Sequence, residues 1–298
     1  MRKFLKTAVE ASLIGTGAER ILRRRRRGET LILAYHNILP PGCEATGERS
    51  LHLPHHDFVR QLDAIQQTHR VTPLESVLAG DYADTPQIAI TFDDAYAGAL
   101  EFGIGELSRR RMPATVFVAP GLLAGTTWWD VFADPATGVV NPQLRRQTLD
   151  ESAGIVKGVA PTSGTGQSGN LQRIGTERQL ASASQLPGIT FGSHTWSHPD
   201  LTKLAPGDLA QELSKPMAWL RERFDCTIPW LSYPYGHFNS LVADAAATAG
   251  YAAALQISGG WMNRDSPIDR HRLPRYNVPA GLSLAGFKLR LAGLGTTR

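Results

Sequence analysis

Two adjacent carboxylates, Asp93 and Asp94, close an apolar run within residues 87–96, QIAITFDDAY. Ile88, Ala89, Ile90 and Phe92 read as a short strand buried on both faces, which places the acids at its C-terminal end. In parallel α/β folds the loops leaving that end converge on one mouth, where binding and catalytic groups collect. Taken alone, either acid could equally cap a following helix. A second run, residues 189–201 (ITFGSHTWSHPDL), adds His194 and His198, four apart and stopped by Pro199. Imidazole and carboxylate are the usual nitrogen and oxygen ligands of divalent transition metals. One Asp and two His would make a three-ligand site with positions open for water and substrate. A lone histidine is more often a satisfied structural residue. A pair at this spacing after one strand, matched by Asp-Asp at the end of another, favours the metal.

Amide hydrolysis needs a nucleophilic water, a base, charge stabilisation for the tetrahedral intermediate, and an acid for the leaving amine. A metal held by one Asp, His194 and His198 would lower the pKa of bound water toward roughly 7 and polarise the carbonyl. The other Asp would be the base, and the residues alone do not fix which is which. A third segment, SYPYG at residues 232–236, ends another strand-like run. Pro234 and Gly236 make it a tight turn, either an ordinary one or one whose backbone N–H meets an oxyanion.

The motifs TFDD (residues 91–94), HTWSHP (194–199) and SYPYG (232–236), in this order, resemble the polysaccharide deacetylase family. This is also called the NodB-homology or carbohydrate esterase 4 family, and the likeness spans roughly residues 30–280 in layout. The resemblance implies a distorted (β/α)7 barrel, with Asp93 as base and Asp94, His194 and His198 as metal ligands. It also implies that Tyr235 donates the oxyanion N–H. Two departures stand out: many members have an Arg where this chain has Ser232, and the C-terminal Leu-x-x-His that supplies the acid is replaced by LPRY at 273–276. The chain is similar in this to the permuted-motif subgroup of the biofilm poly-N-acetylglucosamine deacetylases, in which an early strand carries Tyr-His. On that likeness His36, in LILAYHNI, is the acid, and Arg275, in RLPRYNV, takes the place of the absent Arg near Asp93. His271 is a competing acid, and a structural His36 is the alternative.

The elements that must position these residues follow from periodicity. Strand-like runs fall at 30–38, 87–92, 114–119, 189–192, 230–233, 251–257 and 272–278, with helical stretches at 57–69, 97–111, 206–224 and 239–249. Seven strands alternating with helices imply a parallel sheet able to close or nearly close a barrel. Between them, residues 122–186 form an excursion containing Trp128, Trp129 and the small polar tract 161–170, which reads as a loop. The two tryptophans would either line a sugar groove or anchor the excursion, and Tyr233 and Pro234 would line the substrate site.

With 298 residues, 42% hydrophobic and 19% charged, the composition suits one globular domain, residues 29–298, behind a basic extension, residues 1–28. Those first 28 residues hold nine of the 31 Lys and Arg and two of the 27 acidic residues, leaving the remainder net acidic. The basic character is therefore local, and the body gives no reason to expect nucleic acid. Phe4, Leu5, Ala8, Val9, Ser12 and Leu13 recur at helical spacing before the block Arg23 to Arg27, as in a helix that lies on an anionic membrane, with a solvated and partly disordered tail as the alternative. Glu10 interrupts the only signal-like apolar run, so the expectation is a cytoplasmic protein, peripheral at the inner face of the membrane, rather than an exported one. Cys43 and Cys226 form no CxxC and are expected to stay reduced. The expected function is a metal-dependent hydrolase removing N-acetyl groups from an amino sugar in a glycan or glycan precursor. One divalent ion is expected, zinc by default with cobalt or nickel acceptable. O-acetyl sugar esterase and non-catalytic carbohydrate binding are the rivals, and oligomeric state is open.

Overall fold

The structure, a computed structural model, describes residue 10 and residues 12–79, 84–155, 171–263 and 267–295. Phe4, Leu5, Ala8 and Val9 of the basic extension, and the polar tract 161–170, lie outside the described residues. The strands are β1 (Thr30–Tyr35), β2 (Asn37–Leu39), β3 (His52–Pro54), β4 (Arg70–Val71), β5 (Gln87–Phe92), β6 (Ala114–Val118), β7 (Ile189–Ser193), β8 (Thr227–Ser232), β9 (Ala253–Leu255) and β10 (Tyr276–Asn277). The helices are α1 (Ala18–Arg24), α2 (His55–Gln66), α3 (Ile104–Arg109), α4 (Trp128–Val131), α5 (Pro142–Ser152), α6 (Glu177–Ser184), α7 (Pro206–Arg223), α8 (Ser240–Thr248) and α9 (Leu284–Leu291).

One parallel sheet runs in the order β10-β1-β5-β6-β7-β8-β9, with the short β4 beside β5. It is curled into a distorted (β/α) barrel. The expected seventh strand does not form as one piece, because Pro274 and Arg275 interrupt it. Its start, Leu273, bridges in parallel to Leu255 of β9. Its end pairs with β1 through Leu33–Tyr276 and Ala34–Asn277. One segment thus touches both free edges, with Arg275 at the seam. The first run also divides, since β1 stops at Tyr35 and residues 37–39 pair with β3 in a separate two-stranded sheet that the sequence did not suggest.

Alternation along the strands sorts the side chains. Leu31, Leu33 and Tyr35 of β1, and Ile88, Ile90 and Phe92 of β5, join Phe58, Leu62, Ile65, Phe287 and Leu291 of α2 and α9 in the outer core. Ile32 and Ala89 belong instead to the inner cluster with Phe117, Trp230 and Leu255. Continuing that inner register past the strand ends reaches His36 after β1 and Asp93 after β5. The β1–β5 ladder, which ends at Tyr35–Phe92, would pair those two residues next.

α1 and α9 pack at the opposite end, where buried His69 offers Nε2 to the Leu291 carbonyl at 3.3 Å. Burial pushes His69 from 6.5 down to about 4. As pH falls through that window the unfolded chain takes up a proton that the folded chain refuses, so acid destabilises the fold. The loss should reach roughly 3 kcal/mol once pH is below the folded value. Urea midpoints measured across the window should decline less in His69→Gln than in the wild type. Equal declines would remove His69 as the cause.

Candidate active site

The metal-ligand candidates meet at the C-terminal rim of the sheet. Asp94, His194 and His198 are buried and offer ligand atoms that all lie within 4.8 Å of one another. Asp94 Oδ1 is 3.5 Å from His194 Nε2 and 3.4 Å from His198 Nε2, and the two Nε2 atoms are 3.1 Å apart. His194 Nδ1 lies 2.7 Å from the Ser232 carbonyl, which can only accept, so Nδ1 carries the proton and Nε2 turns a lone pair toward Asp94. Asp94 Oδ1 is buried and has no hydrogen-bond partner. Burial, then the charges of Asp93 and Asp130, push the Asp94 carboxyl well above the usual carboxylate range. Burial lowers both imidazoles, and at His198 the neighbouring His194 adds to it. Two neutral imidazoles and an orphaned carboxylate oxygen around one point suit a divalent cation in donor type and number.

The backbone makes this convergence possible at some cost. Asp94, Ala95, Thr195, His198 and Tyr235 all have φ between 57 and 67°, left-handed values that non-glycine residues rarely adopt. These turns fold the loops back over the barrel mouth. Gly236, at φ 71°, closes the turn after β8, where a Cβ would collide with Ile257.

Asp93 sits beside this candidate cation site in a different environment. Arg275, fully buried, donates from Nη1 to Asp93 Oδ1 and from Nη2 to Oδ2, both at 2.8 Å. Its remaining donors reach Thr91 Oγ1 at 3.3 Å, Ser232 Oγ at 2.8 Å and the Gln256 carbonyl at 2.8 Å. All five guanidinium N–H groups are thereby used. Burial alone would raise Asp93, but the Arg275 charge, then His194, and the paired hydrogen bonds hold it far below the usual carboxylate range. The small Ser232 side chain is itself a partner of Arg275.

These groups line one cavity of 320 Å³. Its walls include His36, Asp93, Asp94, His194, His198, Trp129, Tyr233 and Tyr235. Burial pushes His36 down to about 4, opposed by the Asp93 charge. His271 is elsewhere: its Nε2 contacts the Tyr251 carbonyl at 3.0 Å, and it does not line the cavity. Trp129 packs against His198 at 4.8 Å between ring centroids. Trp128 and Pro234 are buried but form no part of the cavity wall, and the Trp128 indole donates to the Tyr235 hydroxyl at 3.1 Å. The two tryptophans belong to a cluster with Ala133, Val140 and Leu149, which anchors the excursion. Tyr233 donates its hydroxyl to the His271 carbonyl at 3.0 Å.

Sequence reasoning missed a buried network behind this wall. Asp130 accepts from the Tyr96 hydroxyl at 2.6 Å, the Thr127 hydroxyl at 2.8 Å and the Glu48 N–H at 3.0 Å. His52 Nε2 also contacts it at 3.0 Å, and the Trp129 indole donates to Tyr96 at 2.8 Å. An ion pair, Arg145 with Glu48 at 2.7 Å, and a hydrogen bond between His237 and Asp200 at 2.8 Å line or approach the mouth. Asp130, which follows Trp-Trp, and Tyr96, two residues after Asp94, lay within stretches already singled out. Nothing in the spacing of Glu48, Arg145 or His237 pointed to the site.

The family profile described as polysaccharide deacetylase matches residues 81–254. The chain belongs to the polysaccharide deacetylase family. The Bacillus subtilis protein YxkH, whose name places it among polysaccharide deacetylases, is 23% identical over 261 residues, covering 86% of this chain and 74% of its own. Among solved structures, the Streptococcus pyogenes deacetylase PplD superposes with a TM-score of 0.61 at 19% identity, covering 88% of this chain and 98% of its own. IcaB from Ammonifex degensii gives 0.62 at 18% identity, covering 89% and 97%. The matched profile contains Asp93, Asp94, His194, His198 and Tyr235 but neither His36 nor Arg275.

Proposed function

We propose that this protein is a metal-dependent hydrolase that removes N-acetyl groups from an amino sugar in a glycan or glycan precursor. The observation that carries the reading is the pairing, in one cavity, of a buried Asp-His-His cluster with a second carboxylate clamped by Arg275. Asp94, His194 and His198 would hold the cation. When bound, such an ion supplies Lewis acidity toward an acetyl carbonyl and acidifies a water it holds.

The chain's own groups then divide the proton work. Asp93, fixed through both oxygens, orients the attacking water and takes its proton, while the Tyr235 backbone N–H faces the developing oxyanion. Held so low by Arg275, Asp93 is a poor resting place for that proton. His36, neutral at ordinary pH because burial brings it to about 4, is the more basic of the two. It can receive the proton and deliver it to the departing amine, so that water's hydroxyl ends on carbon and its proton on nitrogen. Environments that push two neighbouring titratable groups apart commonly separate such roles. PplD, similar in fold, was solved with acetate, the product such a reaction releases.

The test is metal analysis together with acetate release from matched N-acetyl and O-acetyl sugars. About one divalent ion per chain, chelator-sensitive turnover and preference for the N-acetyl substrates are expected. Faster O-acetyl cleavage would make it an esterase. Bound metal without release from either substrate set would make it a binding protein.

A further inference from the structure

We infer that the end of the barrel opposite the catalytic mouth is a docking surface for an anionic phospholipid bilayer. The described part of the basic extension is tied to the barrel. Glu10 accepts from Ser283, the N-cap of α9, at 2.6 Å, and Arg290 lies 3.6 Å from its other oxygen. Further along, Arg26 pairs with Glu29 at 2.8 Å and stands over the Trp261 ring at 5.8 Å.

These contacts fix where α1 sits. It precedes β1, so it lies by the N-terminal ends of the strands, whereas Asp93, His194 and Tyr235 follow the C-terminal ends. Residues of α1 also line a cleft of 270 Å³ with Gln67, Thr68 and His69 after α2 and with Leu291 and Ala292 at the end of α9. Those are the ends of both helices that point away from the mouth, because each runs antiparallel to the strands it covers. Arg20, Arg23 and Lys288 line this cleft against a single acid, Glu19, giving it a net cationic wall suited to a headgroup phosphate.

The outer face of α1 and the turn after it has the composition of a bilayer contact. Arg20, Arg24, Arg25 and Arg27 are exposed. Among the described residues Arg24, Arg25 and Arg27 form no ion pair, and Arg20 has only its neighbour Glu19 at 3.7 Å. Ile21 stands among them 61% exposed, an apolar side chain that none of the described residues covers. Arginines around a protruding aliphatic fit anionic headgroups above an acyl layer, with the cations at phosphate level and Ile21 at the boundary. Nucleic acid would match the charge but leave Ile21 without a role. Among the described residues no helix is long and apolar enough to cross a membrane. The contact is therefore interfacial, and it turns the cavity away from the bilayer, toward glycan arriving from the aqueous side.

The experiment is co-sedimentation of the full chain with phosphatidylcholine vesicles, with and without phosphatidylglycerol, followed by hydrogen exchange on the bound protein. Pelleting is expected only with phosphatidylglycerol, weakened by salt and reduced at least about tenfold in a variant combining R20E, R24E, R25E and R27E. Ile21→Asp should weaken it as well. Vesicles should protect amides of residues 20–27 while leaving residues 231–237 unchanged. Equal pelleting of the charge-reversed variant, no pelleting at all, or indifference to Ile21→Asp with tight duplex DNA binding would each overturn the docking surface. Protection at 231–237 instead of 20–27 would overturn its orientation. None of these readouts depends on deacetylase activity.

Discussion

Arg275→Met is expected to cost roughly 3–5 kcal/mol of folding stability and to abolish turnover, although the residue never needs to touch substrate. The guanidinium is fully buried and spends two hydrogen bonds on Asp93 and three on Thr91, Ser232 and the Gln256 carbonyl. Removing it strands a carboxylate in a desolvated pocket, beside the second buried carboxyl of Asp94 and without the cation that holds it ionised. The Asp93 carboxyl should then rise toward, or beyond, the ordinary carboxylate range and lose its fixed orientation. Arg275→Lys should rescue little, because one ammonium cannot reproduce a planar fork gripping both oxygens. The decisive comparison is the double variant with Asp93→Asn. If the loss arises from an unpaired buried charge, neutralising Asp93 should return a large part of the stability in urea unfolding while turnover stays absent. A double variant as unstable as Arg275→Met would show instead that Arg275 acts by packing at the barrel seam, where its segment bridges Leu255 and pairs with Leu33.

Much of this site was legible in the sequence, for a reason particular strands make plain. Residues 87–92 and 189–193 are apolar enough to be recognised as strands, and a period of two carries the inner register from Ala89 through Thr91 to Asp93. His194 follows by the same alternation from Gly192. The place of Arg275 near Asp93 was expected from a likeness to a subgroup, but its position at the seam between the two sheet edges was not. Pro274 breaks the strand there, so the segment pairs to one edge before the break and to the other after it, a consequence of closure that no local pattern records. The split after Tyr35 had a similar origin: residues 37–39 find partners in β3, fifteen residues along a loop that carries no strand-like alternation. Asp130 was invisible for the opposite reason. Of its four partners only Thr127 is local, while Tyr96, His52 and the Glu48 backbone are brought to it by tertiary folding. The tryptophans were read as groove or anchor, and the fold gives them different positions, Trp129 on the wall and Trp128 behind it.

His36→Ala is expected to lower kcat by about 10²- to 10⁴-fold while metal content and melting temperature stay close to wild type. The side chain lines the cavity one residue past the end of β1, next in register to Asp93, yet it belongs to neither the cation cluster nor the Arg275 clamp. Its loss should therefore leave binding and folding intact and remove only a proton carrier. That separates it from His194 or His198, whose replacement should empty the metal site first. A small cavity in place of the ring also permits rescue. Added imidazole should restore part of the turnover in His36→Ala and none in His198→Ala. Full activity in the variant would transfer the acid role, and the cavity leaves one other histidine in reach that is free of the cation cluster, His237. A 2.8 Å hydrogen bond with Asp200 raises its pKa, so it keeps a proton to higher pH than His36, which burial lowers. The two assignments consequently predict different pH dependences. A rate that falls as pH rises through the His237 pKa would select it, and a rate indifferent to His237→Gln would leave the proton with His36.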